Sequence, residues 1–344
     1  MHLCSDSATF RRMITLCLAA LVSSIGVLRP SPAPARAPLV WDATGHRTIA
    51  ALTYARLREG TRAQVDQLMR AHPDLDSLAV GVDPATADGV RELFLRASVW
   101  PDRIRRDPRF FEATVAEPVP TPPLPGFPDM VRHSDWHYLS RAFATDGTPA
   151  VALPEPSTPT HVGHVMHALG DSDAPAAARA YHLSWVVHVV GDLHQPLHGT
   201  SRATRARPAG DAGGNGERVR PDIATDDSTS LHAFWDGAFT RSVGHSDAVR
   251  AAMALDAPIS WSFATADPSP AAVREAPAQL LRAWADESET LARHLAYAYR
   301  PRAEGDLPPR LDAAYLTTAA RVARERVILA SDRLVAVLEA LLGS

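Results

Sequence analysis

The string His188-Val-Val-Gly-Asp192-Leu-His-Gln-Pro-Leu-His198 constrains this chain more than any other feature. His188 and Asp192 are four residues apart, and on a helix such a pair lies one above the other on one face. An imidazole and a carboxylate so stacked can both reach one zinc ion. Pro196 ends the helix, so His198 bends back from the loop. A second pair at the same spacing, His232 and Asp236, stands in Leu231-His-Ala-Phe-Trp-Asp236, and Trp41-Asp-Ala-Thr-Gly-His46 adds a further His. With 15 His in the chain, one such pair arises by chance about once. Two pairs and a third His behind a proline point to a metal cluster.

The rest of the chain narrows the setting. Arg11 and Arg12 precede an apolar run, Met13 to Leu28, which is followed by Arg29 and a Pro/Ala tract. That order is expected of a secretory leader over residues 1–40, and the run is short for a membrane span; a permanent N-terminal anchor is the alternative. Both cysteines, Cys4 and Cys17, fall in this leader, so the exported protein, periplasmic or secreted, is expected to hold no disulfide. The leader has four Arg and one Asp of the chain's 35 basic and 39 acidic residues, which leaves 31 and 38 and a net charge of −7. There is no Lys. Such a chain is poorly suited to coat polyanions with side chains alone, so if it handles phosphodiesters, bound metal supplies much of the positive charge.

Apolar residues recur at three- and four-residue intervals over Thr48–Met69, Ala87–Ser98, Thr160–Leu169, Ala174–His194, Ala271–Tyr299 and Leu311–Leu342, which predicts helices. No long alternating run suggests a sheet. Pro-rich loops, Glu117–Pro128 and Gly147–Pro159, and a Gly/Arg loop from Thr200 to Ser230 lie between them. A single all-α domain over residues 41–344 is the expectation.

Without thiols, His and Asp are the available metal ligands. Gly191 beside Asp192 lets another group approach closely. Pro101 suits a first helical turn with Asp102 just inside it, where an acid also complements the helix dipole. His137 sits among aromatics in Asp135-Trp-His-Tyr138, a setting that, standing alone, more often marks a packed core histidine than a ligand.

Trp-x-x-x-Gly-His, Trp-x-Asp-x-x-Arg, His-Tyr, His-x-x-Gly-Asp-x-His-Gln-Pro-Leu-His, Gly-Gly-Asn and Leu-His-x-x-Trp-Asp follow one another here. Together they resemble the zinc-dependent, single-strand-specific nuclease/3′-nucleotidase family, from Trp41 to the closing Leu329–Leu334 segment. The resemblance implies a phospholipase C/nuclease-like helical fold around a trinuclear zinc cluster. One zinc would take Asp102, His137, His188 and Asp192; a second, His198, His232 and Asp236; a third, His46, Asp192 as a bridge, and the α-amine and carbonyl of Trp41 once it is the first residue. Zinc-activated water would attack phosphorus in line, giving 5′-phosphate products from single-stranded DNA, RNA and 3′-nucleotides. Arg105 matches a phosphate-contacting Arg, alternatively a solvated helix arginine; Asp102 could also move a proton. Tyr138 is the candidate stacking residue. Asn215, at the end of Gly213-Gly214-Asn215, belongs to a loop near the metals and is a substrate-binding candidate. No obligate protein partner and no stable membrane association are expected.

His161, His164 and His167 recur every third residue but match no ligand position, and His133, His182 and His194 read as surface or supporting groups. Ser140 stands where the family often carries an acid or amide near the nucleobase, which bears on base preference. The processing site is also atypical: Ala35-Arg-Ala37 fits signal peptidase but precedes Pro38, and Val40 is a poor residue before a cut. Zinc-dependent phospholipases C share the trinuclear design and are the alternative, but they have a longer gap from Trp to the next His, and Glu in place of Asp236.

Overall fold

Two apolar helices near the middle and end of the sequence form the frame on which the rest is hung. The computed structural model describes residues 41–113, 122–149, 158–221, 227–243, 267–299 and 307–343. The expected leader and parts of both Pro-rich loops lie outside the described residues. In chain order the elements are α1 (Ala43–Arg56), α2 (Glu59–Arg70), α3 (Leu75–Leu78), α4 (Ala87–Ala97), α5 (Trp100–Ile104), β1 (Arg141–Ala144), α6 (Thr158–Gly170), α7 (Ala176–Asp192) and β2 (Thr200–Ala203). Then come β3 (Arg218–Val219), β4 (Thr229–Ser230), α8 (Leu231–Asp236), α9 (Ala238–Val243), α10 (Pro270–Glu275), α11 (Pro277–Leu291) and α12 (Ala313–Leu342).

The fold is a mainly helical single domain, as the periodicity predicts. α7 is buried on all sides from Tyr181 to Asp192 apart from His182, and it packs against α6, α12, α2 and α5. A helix apolar all round belongs in a core. α12 lies along α1, α9 and α10. One core cluster joins α7 to α1, α2, α4 and α12; a smaller one gathers Leu197, Leu231, Phe234, Trp235 and Tyr297 under the C-terminal half. His188 and Asp192 rise from the first cluster, while His198, His232 and Asp236 border the second.

Two predicted helices are broken. The Thr48–Met69 helix divides where Leu57 and Arg58 adopt extended ψ of 139° and 153°. The Ala271–Tyr299 helix breaks before Pro277, whose ring excludes helical geometry at Ala276 (φ −136°, ψ 46°). The chain also contains short strands where none was expected: β1 and β2 pair in parallel, Arg141 opposite Thr200, and β3 and β4 pair antiparallel. Four-residue and two-residue strands are too short to show alternation. α7 ends at Asp192, earlier than Pro196, which instead opens a 3₁₀ turn over Pro196–Gly199.

His72, buried under α7, makes stability pH-dependent. Its Nδ1 accepts from the Asp74 amide (3.0 Å) and its Nε2 lies 3.0 Å from Ser184 Oγ. Protonating Nδ1 would set one N–H against another, and burial pushes the ring down to about 4. The unfolded ring takes its proton near pH 6.5, so this stability is full above that pH and is lost as pH falls through 4. The expected loss is about 3 kcal/mol. Unfolding free energies of zinc-loaded wild type and His72→Gln, compared at pH 7 and pH 4, should converge by that amount; a constant difference refutes it.

Candidate metal centre

α7 sets the first pair. His188 donates from Nδ1 to the Ser98 carbonyl (2.8 Å), just before α5, which turns its Nε2 inward. That bond selects the tautomer and the facing nitrogen. α5 then brings Asp102, and the 3₁₀ turn Ser134–His137 brings His137. His137 Nδ1 stands 2.9 Å from His188 Nε2 and 3.1 Å from Asp192 Oδ2, with Asp102 Oδ1 3.9 Å from both rings. Asp102, His137, His188 and Asp192 therefore surround one point.

Asp192 turns its other oxygen elsewhere. Its Oδ1 lies 3.2 Å from His46 Nε2, and the His46 ring stacks on His188 at 4.1 Å. Gly191 permits this approach, because a Cβ there would lie 2.9 Å from His46 Nδ1. The Trp41 indole donates to the Gly191 carbonyl (2.9 Å) and the Asp42 amide to the Asp236 carbonyl (3.1 Å), which pins the 41–46 block to both ligand helices.

On the other side, His198 and His232 stack at 5.0 Å with their Nε2 atoms 3.8 and 3.6 Å from the Asp236 carboxylate. His198 Nδ1 donates to the His137 carbonyl (2.7 Å), and the Leu139 amide donates back to the His198 carbonyl (2.7 Å). The β1–β2 pairing continues from these two bonds, so the small parallel sheet holds His137 and His198 in register. Gln195, quoted within the string but given no role by sequence, donates to Asp236 Oδ1 (2.6 Å) and accepts from the Leu197 amide.

These residues fit metal ions. His46 Nε2, Asp192 Oδ1, His198 Nε2 and Asp236 Oδ2 are buried without a hydrogen-bond partner, and each such atom costs about 1–3 kcal/mol unless something satisfies it. Burial raises Asp102 and Asp236 to about 7 and Asp192 well above its ordinary range, and it favours the neutral form of the five imidazoles, His46 and His137 most strongly. Buried carboxylates among neutral imidazoles call for cations. Three groups close to within 4.8 Å: His46, Asp102 and His188; His137, His188 and Asp192; His198, His232 and Asp236.

The cluster opens into a cleft of about 340 Å³ lined by Arg105, Tyr138, Ser140, Ser201 and Asn215 among others. Arg105 NH1 is 3.7 Å from Asp102 Oδ1 and 31% exposed. Tyr138 is 47% exposed at the rim. The stripe of His161, His164 and His167 faces outward on α6, away from any such group among the described residues. His133 stacks on Trp136 and pairs with Asp129, and His182 is half-buried. His194 is not on the surface: it is buried, donating to the Val190 carbonyl and meeting Arg333.

Sequence reasoning passed over Asp211, two residues before Gly213. Its Oδ1 accepts from the amides of Arg202 (2.9 Å) and Gly214 (3.0 Å) and from the Tyr297 hydroxyl (3.0 Å). It thereby holds a turn in which Ala212, Gly213 and Gly214 all have positive φ, a conformation that costs a non-glycine residue about 1 kcal/mol. In that turn the Gly213 carbonyl accepts from His232 Nδ1 (2.8 Å) and so aims Nε2 at Asp236. Asp211→Ala is expected to weaken metal at the His232 position about 10- to 100-fold, while Asp211→Asn, which retains an acceptor, stays within a few-fold. Equilibrium dialysis against a graded chelator reads both, and equal binding in both variants refutes the link.

The model of the family described as S1/P1 Nuclease matches residues 41–343 of the chain. Comparison with curated proteins found no match.

Proposed function

Because the chain belongs to the S1/P1 nuclease family, whose members are phosphoester hydrolases, we propose that it cuts single-stranded DNA and RNA to 5′-phosphate products, and 3′-nucleotides to nucleoside and phosphate, with zinc as its metal. The observation that carries this reading is the convergence of buried, unpartnered ligand atoms on the wall of a cleft that Arg105 enters. The donor set, imidazole nitrogen and carboxylate oxygen without thiolate, suits zinc. Asp102, His137, His188 and Asp192 would hold one ion and His198, His232 and Asp236 a second. His46 and Asp192 would hold the third, with the amine and carbonyl of Trp41 once the leader is removed. Bound there, zinc supplies Lewis acidity toward phosphate oxygens and lowers the pKa of water.

The chain's own groups do the rest. Arg105 donates to the equatorial phosphate oxygens and stabilises the charge that grows on them. Asp192 is fully buried, whereas Asp102, beside Arg105, is 15% exposed. It accepts the proton of the attacking water and returns it to the 3′-oxygen as the P–O3′ bond breaks, leaving a 5′-phosphate and a 3′-hydroxyl. The Tyr138 ring offers a stacking face and the Asn215 amide a hydrogen-bonding edge to the base. Ser140 presents a hydroxyl in place of an acid or amide, so base preference is expected to differ while hydrolysis is kept.

Heat-denatured DNA and RNA incubated with zinc-loaded protein beginning at Trp41 should release 5′-mononucleotides, and a chelator should stop the release. Failure of the loaded protein to cut either polymer refutes the reading. The family match favours nuclease over phospholipase C, and no described helix is long and apolar enough to cross a membrane. Export with cleavage before Trp41 is part of the same proposal, supported by the basic-apolar order of residues 11–29 and the start of the family match at residue 41. N-terminal sequencing of exported protein tests it.

A further inference from the structure

The turn that brings Asp102 and Arg105 to the cleft carries two more guanidiniums. Residues 103–106 read Arg-Ile-Arg-Arg, and Ile104 is buried. With that side chain fixed inward, Arg105 enters the cleft, while Arg103 and Arg106 are exposed and line a separate hollow of about 310 Å³ with Ser77 and Pro108. Among the described residues neither meets a carboxylate at ion-pair distance; Arg103 reaches Ser77 Oγ at 3.4 Å. Elsewhere arginines are commonly engaged by acids, as in Arg47 with Glu92, Arg58 with Glu339 and Arg207 with Glu217.

Two acids also line the hollow, and both are engaged. Arg109 grips Asp74 through two nitrogens at 2.9 and 3.1 Å and holds Asp107 at 2.7 Å, and the Trp100 indole donates to Asp74 at 2.8 Å. Arg103, Arg106 and Arg109 thus outnumber Asp74 and Asp107, and the outer two guanidiniums face water. Asp76, exposed beside Ser77, does not line the hollow.

We propose that Arg103 and Arg106 form a phosphodiester-binding extension of the cleft, engaging backbone phosphates of a single strand beyond the nucleotide being cut. The proposal rests on the nuclease reading above. Arg105 and its two neighbours issue from one turn of about 5 Å, so a strand whose reacting phosphate lies at Arg105 passes the hollow within a nucleotide or two. The planar guanidinium fork suits phosphate oxygens, and each neutralised phosphate releases counterions. In an acidic chain without Lys, this local excess of positive charge lets a polyanion lie beside the metals. A dinucleotide is too short to use it.

The test is Arg103→Gln with Arg106→Gln in zinc-loaded protein beginning at Trp41. Binding of a phosphorothioate DNA decamer is followed by fluorescence anisotropy over a range of salt, and hydrolysis of a dinucleotide is measured beside it. Decamer affinity at low salt should fall about tenfold, and the log–log salt slope should be shallower by about 1.4, or 0.7 per phosphate lost. Dinucleotide kcat/KM should be unchanged. The paired control, Arg282→Gln with Arg324→Gln, removes the same charge from α11 and α12 and should leave the slope as in wild type. Unchanged decamer affinity and slope overturn the proposal, as does an equal loss for the dinucleotide or in the control. If the nuclease reading itself fails, wild type does not cut the dinucleotide, a result distinct from a binding defect confined to the variant.

Discussion

Asp192→Asn is expected to reduce phosphodiester hydrolysis by at least about 10³-fold, roughly 4 kcal/mol of transition-state stabilisation, and to cost metal at two positions. Asp192 turns its two oxygens to different histidines, Oδ2 toward His137 and His188 and Oδ1 toward His46. Asparagine keeps the shape but turns an NH₂ toward one of these sets, and an amide nitrogen carries no lone pair for a cation. Metal analysis should show the loss directly, with His198, His232 and Asp236 retaining theirs. Chelated protein should respond in the opposite sense. There the buried carboxylate has its pKa raised by desolvation, so the folded state binds more protons than the unfolded one and loses stability as pH rises above the ordinary carboxylate range. Removing that charge should stabilise the chelated protein at pH 7 while disabling the loaded one. A metal-free variant less stable than metal-free wild type would contradict this account.

Glu287→Gln is expected to lower stability by about 3 kcal/mol, or roughly 5–10 °C in Tm. Glu287 holds Arg333 through both oxygens at 2.7 and 2.8 Å and Arg326 at 3.1 Å. Both guanidiniums are almost wholly buried, and burial pulls Arg326 down to about 10 with Glu287 opposing. The variant leaves two buried cations facing each other. Because the carboxylate is 30% exposed, water screens part of the interaction, which places the cost at the lower end for a broken buried pair. The latch also reaches the site. Arg326 donates to the His194 carbonyl (3.0 Å), and Ser288, itself bonded to Arg326, donates to the Leu193 carbonyl (2.5 Å). Those carbonyls lie between Asp192 and His198. Thermal unfolding reads the stability, and activity at low temperature should remain within a few-fold; an unchanged Tm refutes the prediction.

The candidate ligands were legible because metal chemistry restricts them to His and Asp and because helical spacing stacks residues four apart. Trp100–Asp102 was legible because proline starts helices. The helix periods over α4 and α6 were readable for a similar reason, since each buries one face. The breaks at Leu57 and Ala276 were less so: the first has no Pro or Gly to mark it, and the second lay within a strong apolar period despite Pro277. Asp211, Gln195 and Glu287 could not be found by composition or spacing. Each acts through a bond to a residue distant in sequence or to a main-chain atom, and neither leaves a local pattern.

By itself the sequence determined which atoms can bind metal and which pairs share a helix face, because both follow from side-chain chemistry and a repeat of 3.6 residues. Only the tertiary structure decided that the blocks around residues 46, 102, 137, 188, 198 and 232 meet. That meeting depends on hydrogen bonds such as His198 to the His137 carbonyl and Trp41 to the Gly191 carbonyl, 61 and 150 residues apart in the chain. It also decided which nitrogen of His188, His198 and His232 faces inward, since the direction of each of these imidazoles is set by the carbonyl of Ser98, His137 or Gly213 that accepts from Nδ1.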